Sequence, residues 1–451
     1  MMVRDTAVII YYDQRAKYSI HALTAVIDSL NIADVYLIEK TSGFLEFVKN
    51  ISEKYRKCII GLSIQTTMLA DDSYLDFVIK LNKHKGKCIS IAGGPHPSGD
   101  PIGTIKSLGF DYAFIGESEK TIQDFIYAFV NDDDLLNVKG LFTIVDDKPI
   151  YTGKQEPIKL DDYPPFPYWR LLFNPIEISR GCPYGCKYCQ VSYMHGFYMR
   201  HRSIDNIVEY TGYMIRKNVR DIRFISPDSL AYGLKTISRK PRLDLIEELL
   251  FRLYKKYVEK KNARIFYGSF PSEVRPEHLT RDAARILRKY VANKNIILGA
   301  QTGSNRLLRL IGRKHSIEDV YSAVENAVKY GFIPNVDYII GLPGETREDL
   351  YETLRSIKKL VSIGARIHLH VFLPLPGSPY AWMPPGKVPS WVKKELMKLI
   401  GAGKAYGQWV HQEKLALKID MLRRRGIIMP RIRAGSMQRP VSTHLNYSVP
   451  P

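Results

Sequence analysis

The feature that most constrains this sequence is a group of three cysteines within one short predicted loop. Cys182, Cys186 and Cys189 have the spacing C-x3-C-x2-C and follow an apolar, strand-like run. Three thiolates on one loop can converge on a metal, and thiolates are the usual ligands of iron–sulfur clusters. A structural zinc site would need a fourth ligand, for which His195 and His201 are candidates. The spacing therefore predicts a metal centre and favours an iron–sulfur cluster over zinc.

The other two cysteines indicate no disulfide framework. Cys58 and Cys88 lie in apolar runs, and we expect both to be small core residues. The chain has 451 residues, of which 45% are hydrophobic and 25% charged, as in a soluble globular protein of more than one domain. We find no apolar run long enough for a membrane span and no signal-peptide pattern, so the sequence predicts a cytoplasmic protein.

The charge balance favours contact with polyanions. The 66 basic and 46 acidic residues give a formal net charge of +20. Such a field suits nucleic acid, acidic lipid surfaces or phosphorylated cofactors, although a basic surface alone would give the same excess. The arginines of the last segment could contact RNA phosphates, or that segment could be a solvated tail.

The order of apolar runs predicts two α/β domains. Residues 1–135 alternate strand-like and helix-like stretches, which indicates a Rossmann-like, doubly wound domain. Residues 136–170 are predicted to contain a β-hairpin around Asp146-Asp147 and then a proline-rich linker. Residues 171–380 contain six further βα units, which predict a partial (β/α)6 barrel. Residues 381–451 are predicted to be a helical and then basic C-terminal extension.

The cysteine motif, with Tyr188 before its last cysteine and a predicted barrel around it, resembles the signature of radical S-adenosylmethionine (SAM) enzymes. The resemblance covers about residues 171–380. It implies that the three cysteines hold a [4Fe-4S] cluster with one iron open to SAM. It also implies reductive cleavage of SAM to a 5′-deoxyadenosyl radical, with electrons from a donor of the flavodoxin or ferredoxin type.

Further segments carry the same resemblance. GLPGET (341–346) resembles the motif that contacts adenine, TGSNRLLRLIGRKHS (302–316) the segment near the ribose and carboxylate, and SPDSL (226–230) the motif for the methionine amino group. Gln301 replaces an acidic residue that is usual in relatives. The SAM-binding residues that the resemblance implies are Tyr188, Asp228, Gln301, Ser304, Gly341, Leu342 and Pro343.

The N-terminal domain resembles the cobalamin-binding domain of the cobalamin-dependent subgroup of radical SAM enzymes. AGGPHPSGDP (92–101) and GESE (116–119) follow its fourth and fifth predicted strands. The resemblance implies that cobalamin contacts Gly93, Gly94, Pro95, His96 and Glu117. The D-x-H-x-x-G pattern of many cobalamin domains is absent after the first strand, which implies a lower cobalt face without a protein imidazole. A domain that kept the fold and lost the cofactor is the alternative, and His96 could equally cap a loop.

The predicted function is methylation of an unactivated carbon in an unknown substrate. His368 and His370 alternate on the sixth barrel strand and face one side, where they could serve the substrate or be core residues. The alternatives are a radical rearrangement or cyclisation without net methyl transfer, and an iron–sulfur sensor that binds RNA through its basic tail.

Overall fold

A parallel sheet covered on both faces forms the N-terminal domain. The computed structural model describes residues 4–39 and 42–430. The strands of this domain are β1 (Thr6–Tyr11), β2 (Asp34–Ile38), β3 (Lys57–Ser63), β4 (Ile89–Gly93), β5 (Tyr112–Phe114), β6 (Leu141–Val145) and β7 (Lys148–Tyr151). Its helices are α1 (Lys17–Leu30), α2 (Phe44–Lys54), α3 (Asp72–His84), α4 (Pro95–Gly99), α5 (Pro101–Lys106) and α6 (Glu119–Asn131). The sheet order is β2-β1-β3-β4-β5-β6-β7.

Strand β1 shows why this domain is doubly wound. All six of its residues are buried, and they alternate between two hydrophobic cores. Ile9 and Tyr11 lie in the core on one face of the sheet, whereas Val8 and Ile10 lie in the core on the other face. Strands β1 to β5 pair in parallel, as expected for strands buried on both sides. The Rossmann-like architecture is therefore confirmed.

The predicted hairpin is present and extends this sheet. Strands β6 and β7 are antiparallel, and β6 also pairs antiparallel with β5. Asp146 and Asp147, at the turn, have φ angles of 47° and 60°, and positive φ at both central residues is the geometry of a type I′ hairpin turn. The hairpin thus belongs to the N-terminal sheet, not to a separate linker, because its first strand pairs with the edge of that sheet.

Cys58 and Cys88 are buried, but the prediction that they are unpaired is wrong. They form a disulfide between neighbouring strands. The β3–β4 register pairs Ile59 with Ile89, and this places the two preceding residues side by side. The sequence pattern predicts burial of each strand but does not specify this register.

The second domain is the predicted partial barrel. Its parallel strands are β8 (Ile176–Glu177), β11 (Asp221–Ile225), β12 (Arg264–Phe266), β13 (Asn295–Gln301), β14 (Ile333–Ile340) and β15 (Arg366–Val371), with a short β16 (Ala405–Tyr406) beside β15. A parallel bridge from Val274 to Leu298 connects the β12 and β13 sides. A small antiparallel pair, β9 (Ser179–Arg180) and β10 (Arg200–His201), lies near the cysteine loop.

Helices surround this barrel. They are α7 (Val191–His195), α8 (Ile204–Arg216), α9 (Leu243–Leu253), α10 (Glu259–Lys261), α11 (Arg281–Tyr290), α12 (Asn305–Leu310), α13 (Ile317–Lys329) and α14 (Arg347–Ile363). One hydrophobic core lies between strands and helices, as the apolar periodicity predicts. The α/β fold class is confirmed.

The C-terminal extension is helical as far as the structure describes it. Helices α15 (Ser390–Gly401) and α16 (Trp409–Arg424) follow the barrel. Ile419 and Leu422 of α16 pack in a core of the N-terminal domain, so this helix connects the two domains. Most of the arginine-rich tail to which the RNA hypothesis refers lies outside the described residues. Among those described, no helix combines the length and the apolar character that a membrane span needs.

Candidate functional site

The three cysteines lie in the loop between β9 and α7, and backbone hydrogen bonds order this loop. The backbone N–H of Cys182 donates to the Gly196 carbonyl (3.1 Å), and that of Cys189 donates to the Cys186 carbonyl (3.0 Å). Gly181 has φ of +84°, and a Cβ there would lie 2.1 Å from the Tyr198 carbonyl oxygen. A glycine is therefore required for the chain to enter the loop. All three thiols are free.

The three cysteines lie at one cavity of about 690 Å³ inside the barrel. This volume is in the range of small-molecule and cofactor sites. Most of the barrel strands contribute lining residues, directly or through the segment that follows them. The charged and titratable residues in the lining, besides the cysteines, are Glu177, Arg180, Asp228, Glu273, Arg275, Arg313, Asp337, His368 and His370, with Tyr188 and His195.

The surroundings of the thiols keep them protonated as long as no metal is bound. Burial raises the pKa of Cys182, and it raises the pKa of Cys189 to about 12. Without a metal, these two thiols therefore remain protonated at neutral pH. Bound iron or zinc would reverse that preference, because metal ligation deprotonates a thiol outright.

The spacing of the thiols fits a cluster better than a single zinc ion. The sulfur atoms of the three cysteines do not all lie within 4.8 Å of one another. Sulfur atoms around one tetrahedral zinc lie about 3.8 Å apart, since each Zn–S bond is about 2.3 Å long. His201 is held by Ser179 (2.8 Å) and the Leu234 carbonyl (2.7 Å), which occupy both ring nitrogens. The cysteine set thus fits the larger [4Fe-4S] core.

An arginine that the sequence interpretation did not single out lies beside the cysteines. Arg313 Nη1 is 3.9 Å from Cys186 Sγ and 3.4 Å from Tyr188 Oη, and its side chain is buried. Arg313 belongs to the segment 302–316 that the sequence associates with SAM binding. A basic residue within that segment was the sequence feature that could have indicated its role. Its guanidinium places a positive charge against a site that would hold an anionic thiolate cluster.

Two carboxyl residues of the cavity were also missed. Burial raises the pKa of Glu273 to about 7. Asp337 lies in the middle of β14 and hydrogen-bonds His368 (2.9 Å). Their neighbours in sequence give no motif, and only the closure of the barrel brings both side chains into the cavity.

The structure brings together some of the residues predicted to bind SAM. Tyr188, Asp228 and Gln301 line the cavity. Asp228 Oδ2 lies 2.6 Å from His278 Nδ1, and its Oδ1 accepts from the Leu230 N–H (3.2 Å). Gln301 has φ of +74° at an irregularity of the β13–β14 pairing, which sets its side chain apart from the regular strand.

The other predicted SAM residues do not line this cavity. Ser304 is fully buried, caps α12 and donates to Asp349 Oδ1 (2.6 Å). The Gly341 N–H donates to Glu345 Oε2 (2.7 Å), and Leu342 packs in a small buried cluster with Phe372 and Tyr380. Pro343 is buried beside them. In this structure these residues stabilise the turns between the barrel strands and the helices that follow them.

The residues predicted to contact cobalamin lie at the carboxyl edge of the N-terminal sheet. Gly93, Gly94 and Pro95 are partly exposed there, whereas the Glu117 side chain is only 8% exposed. Glu117 also makes ion pairs with Arg180 (3.3 Å) and Arg200 of the barrel domain, which fixes its carboxylate at the domain boundary.

His96 does not fit the predicted contact with a corrin. Its side chain is fully buried, its Nδ1 lies 3.1 Å from Thr66 Oγ1, and its Nε2 lies 3.7 Å from Asp100 Oδ2. Burial lowers the pKa of His96 to about 3, so the ring is neutral. The loop after β4 folds back into the domain and carries this side chain inward, which matches the alternative of a structural histidine.

Three cysteines on a barrel loop, at a cavity lined by apolar and charged side chains, are typical of an iron–sulfur domain whose cluster has one iron without a protein thiolate. Comparison with known families agrees: residues 176–357 match the radical SAM superfamily. This part of the chain is a radical SAM domain, and a [4Fe-4S] cluster and SAM are the cofactors of that family.

Similar proteins extend the likeness to other parts of the chain. An uncharacterized protein of Methanopyrus kandleri is 29% identical over 47% of this chain, a match that spans only 40% of its own length. A protein of Pyrococcus horikoshii named as an uncharacterized methyltransferase is 24% identical over 72% of this chain and 70% of its own. The structure of the radical SAM methyltransferase TsrM from Kitasatospora setae, with cobalamin and a [4Fe-4S] cluster, matches with a TM-score of 0.64. That match covers 85% of this chain and 75% of TsrM at 13% identity, and therefore shows a common fold.

Proposed function

We propose that this protein is a cobalamin-dependent radical SAM methyltransferase that acts on an unactivated carbon. The observation that carries the proposal is the single cavity onto which the three free thiols and three of the residues predicted to bind SAM all open. The common fold with a cobalamin-containing methyltransferase supports the methyl-transfer part. When bound, the cluster and SAM supply the radical chemistry, and cobalamin supplies the methyl group.

The chain's own residues bind and orient the cofactors in this proposal. Cys182, Cys186 and Cys189 hold the cluster. Arg313 offsets the negative charge of the thiolates. Asp228, whose carboxylate is paired with His278, lines the part of the cavity proposed for the amino group of SAM. The barrel wall around them encloses part of the cavity, which limits the access of water to a reactive radical.

The partly exposed strand ends of the N-terminal sheet are the proposed cobalamin site. Gly94 has φ of +100°, and a Cβ there would lie 3.0 Å from the Ile64 carbonyl oxygen. The backbone therefore requires glycine here, and no side chain at this position covers the edge of the sheet. Ligands of doubly wound sheets bind at this edge. Because His96 is buried, the proposal assigns it no contact with cobalamin, and Gly93, Gly94, Pro95 and Glu117 remain the proposed residues.

Turnover requires an external one-electron donor, for which a flavodoxin or ferredoxin is the proposed class. A cytoplasmic location agrees with such a donor and is part of the same proposal. The substrate, and any RNA contact through the tail, are not assigned.

The test is cofactor content and SAM cleavage of the full-length protein. We would reconstitute it anaerobically with iron, sulfide and hydroxocobalamin, desalt it, and measure iron, cobalt and 5′-deoxyadenosine formed after reduction. About four irons and one cobalt per chain, together with SAM cleavage, are expected. Cys186→Ala should lose iron and cleavage.

The matched control removes the other two cysteines. The double variant Cys58→Ala, Cys88→Ala should keep its iron, since these residues lie in the N-terminal sheet. Iron without cobalt would overturn methyl transfer and leave a radical SAM enzyme of the rearrangement or cyclisation type. Zinc in place of iron would overturn the proposal entirely.

A further inference from the structure

A second group of potential metal ligands lies in the same cavity, on strands that carry no cysteine. Asp337 of β14 is directly paired with His368 of β15, and His370 lies two residues further along β15. All three side chains line the cavity and are partly exposed to it. Because residues two apart on a strand point to the same face, both histidines lie beside the Asp337 carboxylate.

The three ligand atoms form a compact triangle. His368 Nδ1 is 2.9 Å from Asp337 Oδ1, His370 Nε2 is 3.1 Å from His368 Nδ1, and His370 Nε2 is 3.9 Å from Asp337 Oδ1. In simple geometry, one point lies about 2.1 Å from all three atoms, slightly above their plane. That is the usual length of a bond from zinc to histidine nitrogen or carboxylate oxygen.

Hydrogen bonds between neutral histidine rings do not account for all of these short distances. A ring nitrogen of a neutral histidine has either one hydrogen or one lone pair, yet His368 Nδ1 is close to two partners. Among the described residues, the Asp337 carboxylate has no lysine or arginine within ion-pair distance; its ionic partners are the two histidines. A bound cation would accept a lone pair from all three atoms at once.

Gln412 of α16 lies behind the triangle. Its Nε2 is 3.2 Å from His370 Nδ1, and its Oε1 accepts from the Val371 N–H (2.8 Å). A histidine that binds metal through Nε2 carries its proton on Nδ1 and donates it to an oxygen acceptor. With glutamine at this position, the amide Nε2 donates to His370 Nδ1 and leaves the ring proton on Nε2, so metal binding through Nε2 requires the other tautomer. A glutamate at position 412 would offer one oxygen to Val371 and the other to an Nδ1 proton of His370, and would therefore favour metal binding.

We propose that Asp337, His368 and His370 bind one divalent transition-metal ion of the zinc type. Two histidines and one carboxylate, with further positions open to a cavity, are the ligand set of catalytic zinc sites. The open positions face the cavity, so the metal takes an oxygen donor from a molecule bound there: a carboxylate, a carbonyl or a phosphate. This site goes beyond the proposed methyl transfer and does not depend on it.

Zinc titration of the cluster-loaded, full-length protein tests the site, because the cysteines are then occupied by iron. Zinc affinity would be measured by competition with a chromogenic chelator, with iron content followed in parallel. The wild type should bind one zinc per chain. Asp337→Asn and His368→Ala should each weaken binding at least about 100-fold, and Gln412→Glu should tighten it by about tenfold.

His411→Ala is the matched control, since that exposed histidine precedes Gln412 on the same helix; it should bind zinc as the wild type does. Equal affinity in the wild type, Asp337→Asn and His368→Ala would overturn the proposal, as would no binding by the wild type. If the cavity variants fail to fold, judged by iron content and melting temperature, Gln412→Glu decides: unchanged affinity in that variant also overturns it. Loss of cobalt or of SAM cleavage would instead bear on the proposed methyltransferase.

Discussion

Glu345 shows at the scale of one residue how burial changes a carboxyl group. Its Oε2 accepts from the Gly341 N–H (2.7 Å), whereas its Oε1 is buried without a hydrogen-bond partner. Burial raises its pKa from 4.5 to about 8. The unfolded chain therefore ionises this group at lower pH than the folded protein does, and folding loses stability as pH rises from about 4.5 to about 8.

We expect Glu345→Gln to stabilise the protein at alkaline pH, because glutamine keeps an oxygen acceptor for Gly341 and carries no charge. The gain should be about 1–3 kcal/mol at pH 9 and should shrink toward pH 6. Thermal unfolding at both pH values measures it, with the exposed Glu352→Gln as control. A gain that is independent of pH would contradict the stated cause.

Residue types were informative where the chemistry is local. The three cysteines were predicted because ligand spacing on one loop is a local property. Asp337 and Arg313 were not predicted, because their role depends on neighbours that lie far away in sequence. His96 was assigned a possible ligand contact, yet the fold buries it against Thr66.

At the scale of secondary structure, Asp349 joins helices α12 and α14. It accepts from the Thr346 N–H (2.7 Å) in a capping box, from Ser304 Oγ (2.6 Å) and from Arg306 Nε (3.1 Å). Burial would raise the pKa of Asp349, but the hydrogen bonds from Arg306 and Ser304 hold it at about 2. The carboxylate thus stays charged and satisfies donors from two elements.

We expect Asp349→Asn to destabilise the fold by about 2 kcal/mol, since an amide presents hydrogens to donors that need an acceptor. Denaturant unfolding at pH 7 measures the loss. Glu348→Gln, on the same turn but exposed, should change stability by less than about 0.5 kcal/mol. Equal effects of the two substitutions would show that the capping network contributes nothing specific.

The helices and strands themselves were largely predictable. Apolar periods of 2 and about 3.6 residues distinguish strands from helices, and these periods run through both domains. The hairpin turn at Asp146-Asp147 was also predicted, but its pairing with β5 was not, because an edge partner lies elsewhere in the chain.

At the scale of the whole molecule, the two domains meet by close backbone contact. A Cβ on Gly99 of α4 would lie 2.2 Å from the Pro376 carbonyl carbon in the loop after β15. Arg180 of the barrel domain also forms an ion pair with Glu119 of the N-terminal domain (2.7 Å), and both side chains are buried. The boundary therefore combines tight packing with charge pairing.

Gly99→Ala should force the domains apart locally and destabilise the protein by about 1–3 kcal/mol or more. Melting temperature and the rate of limited proteolysis between the domains would report it. Gly401→Ala, where a Cβ meets nothing within 4 Å, should be neutral or slightly stabilising. A Gly99→Ala protein as stable as the wild type would show that the domains do not need this contact.

The sequence by itself determined the two α/β domains and the six-stranded partial barrel, and it predicts the three cysteines as cluster ligands, because period and local spacing are properties of adjacent residues. Only the tertiary structure decided the Cys58–Cys88 disulfide, the burial of His96 and the meeting of Asp337 with His368 and His370. Each of these depends on strand register or on packing between distant segments. Neither is encoded in any one stretch of sequence, since the same apolar pattern is compatible with several registers.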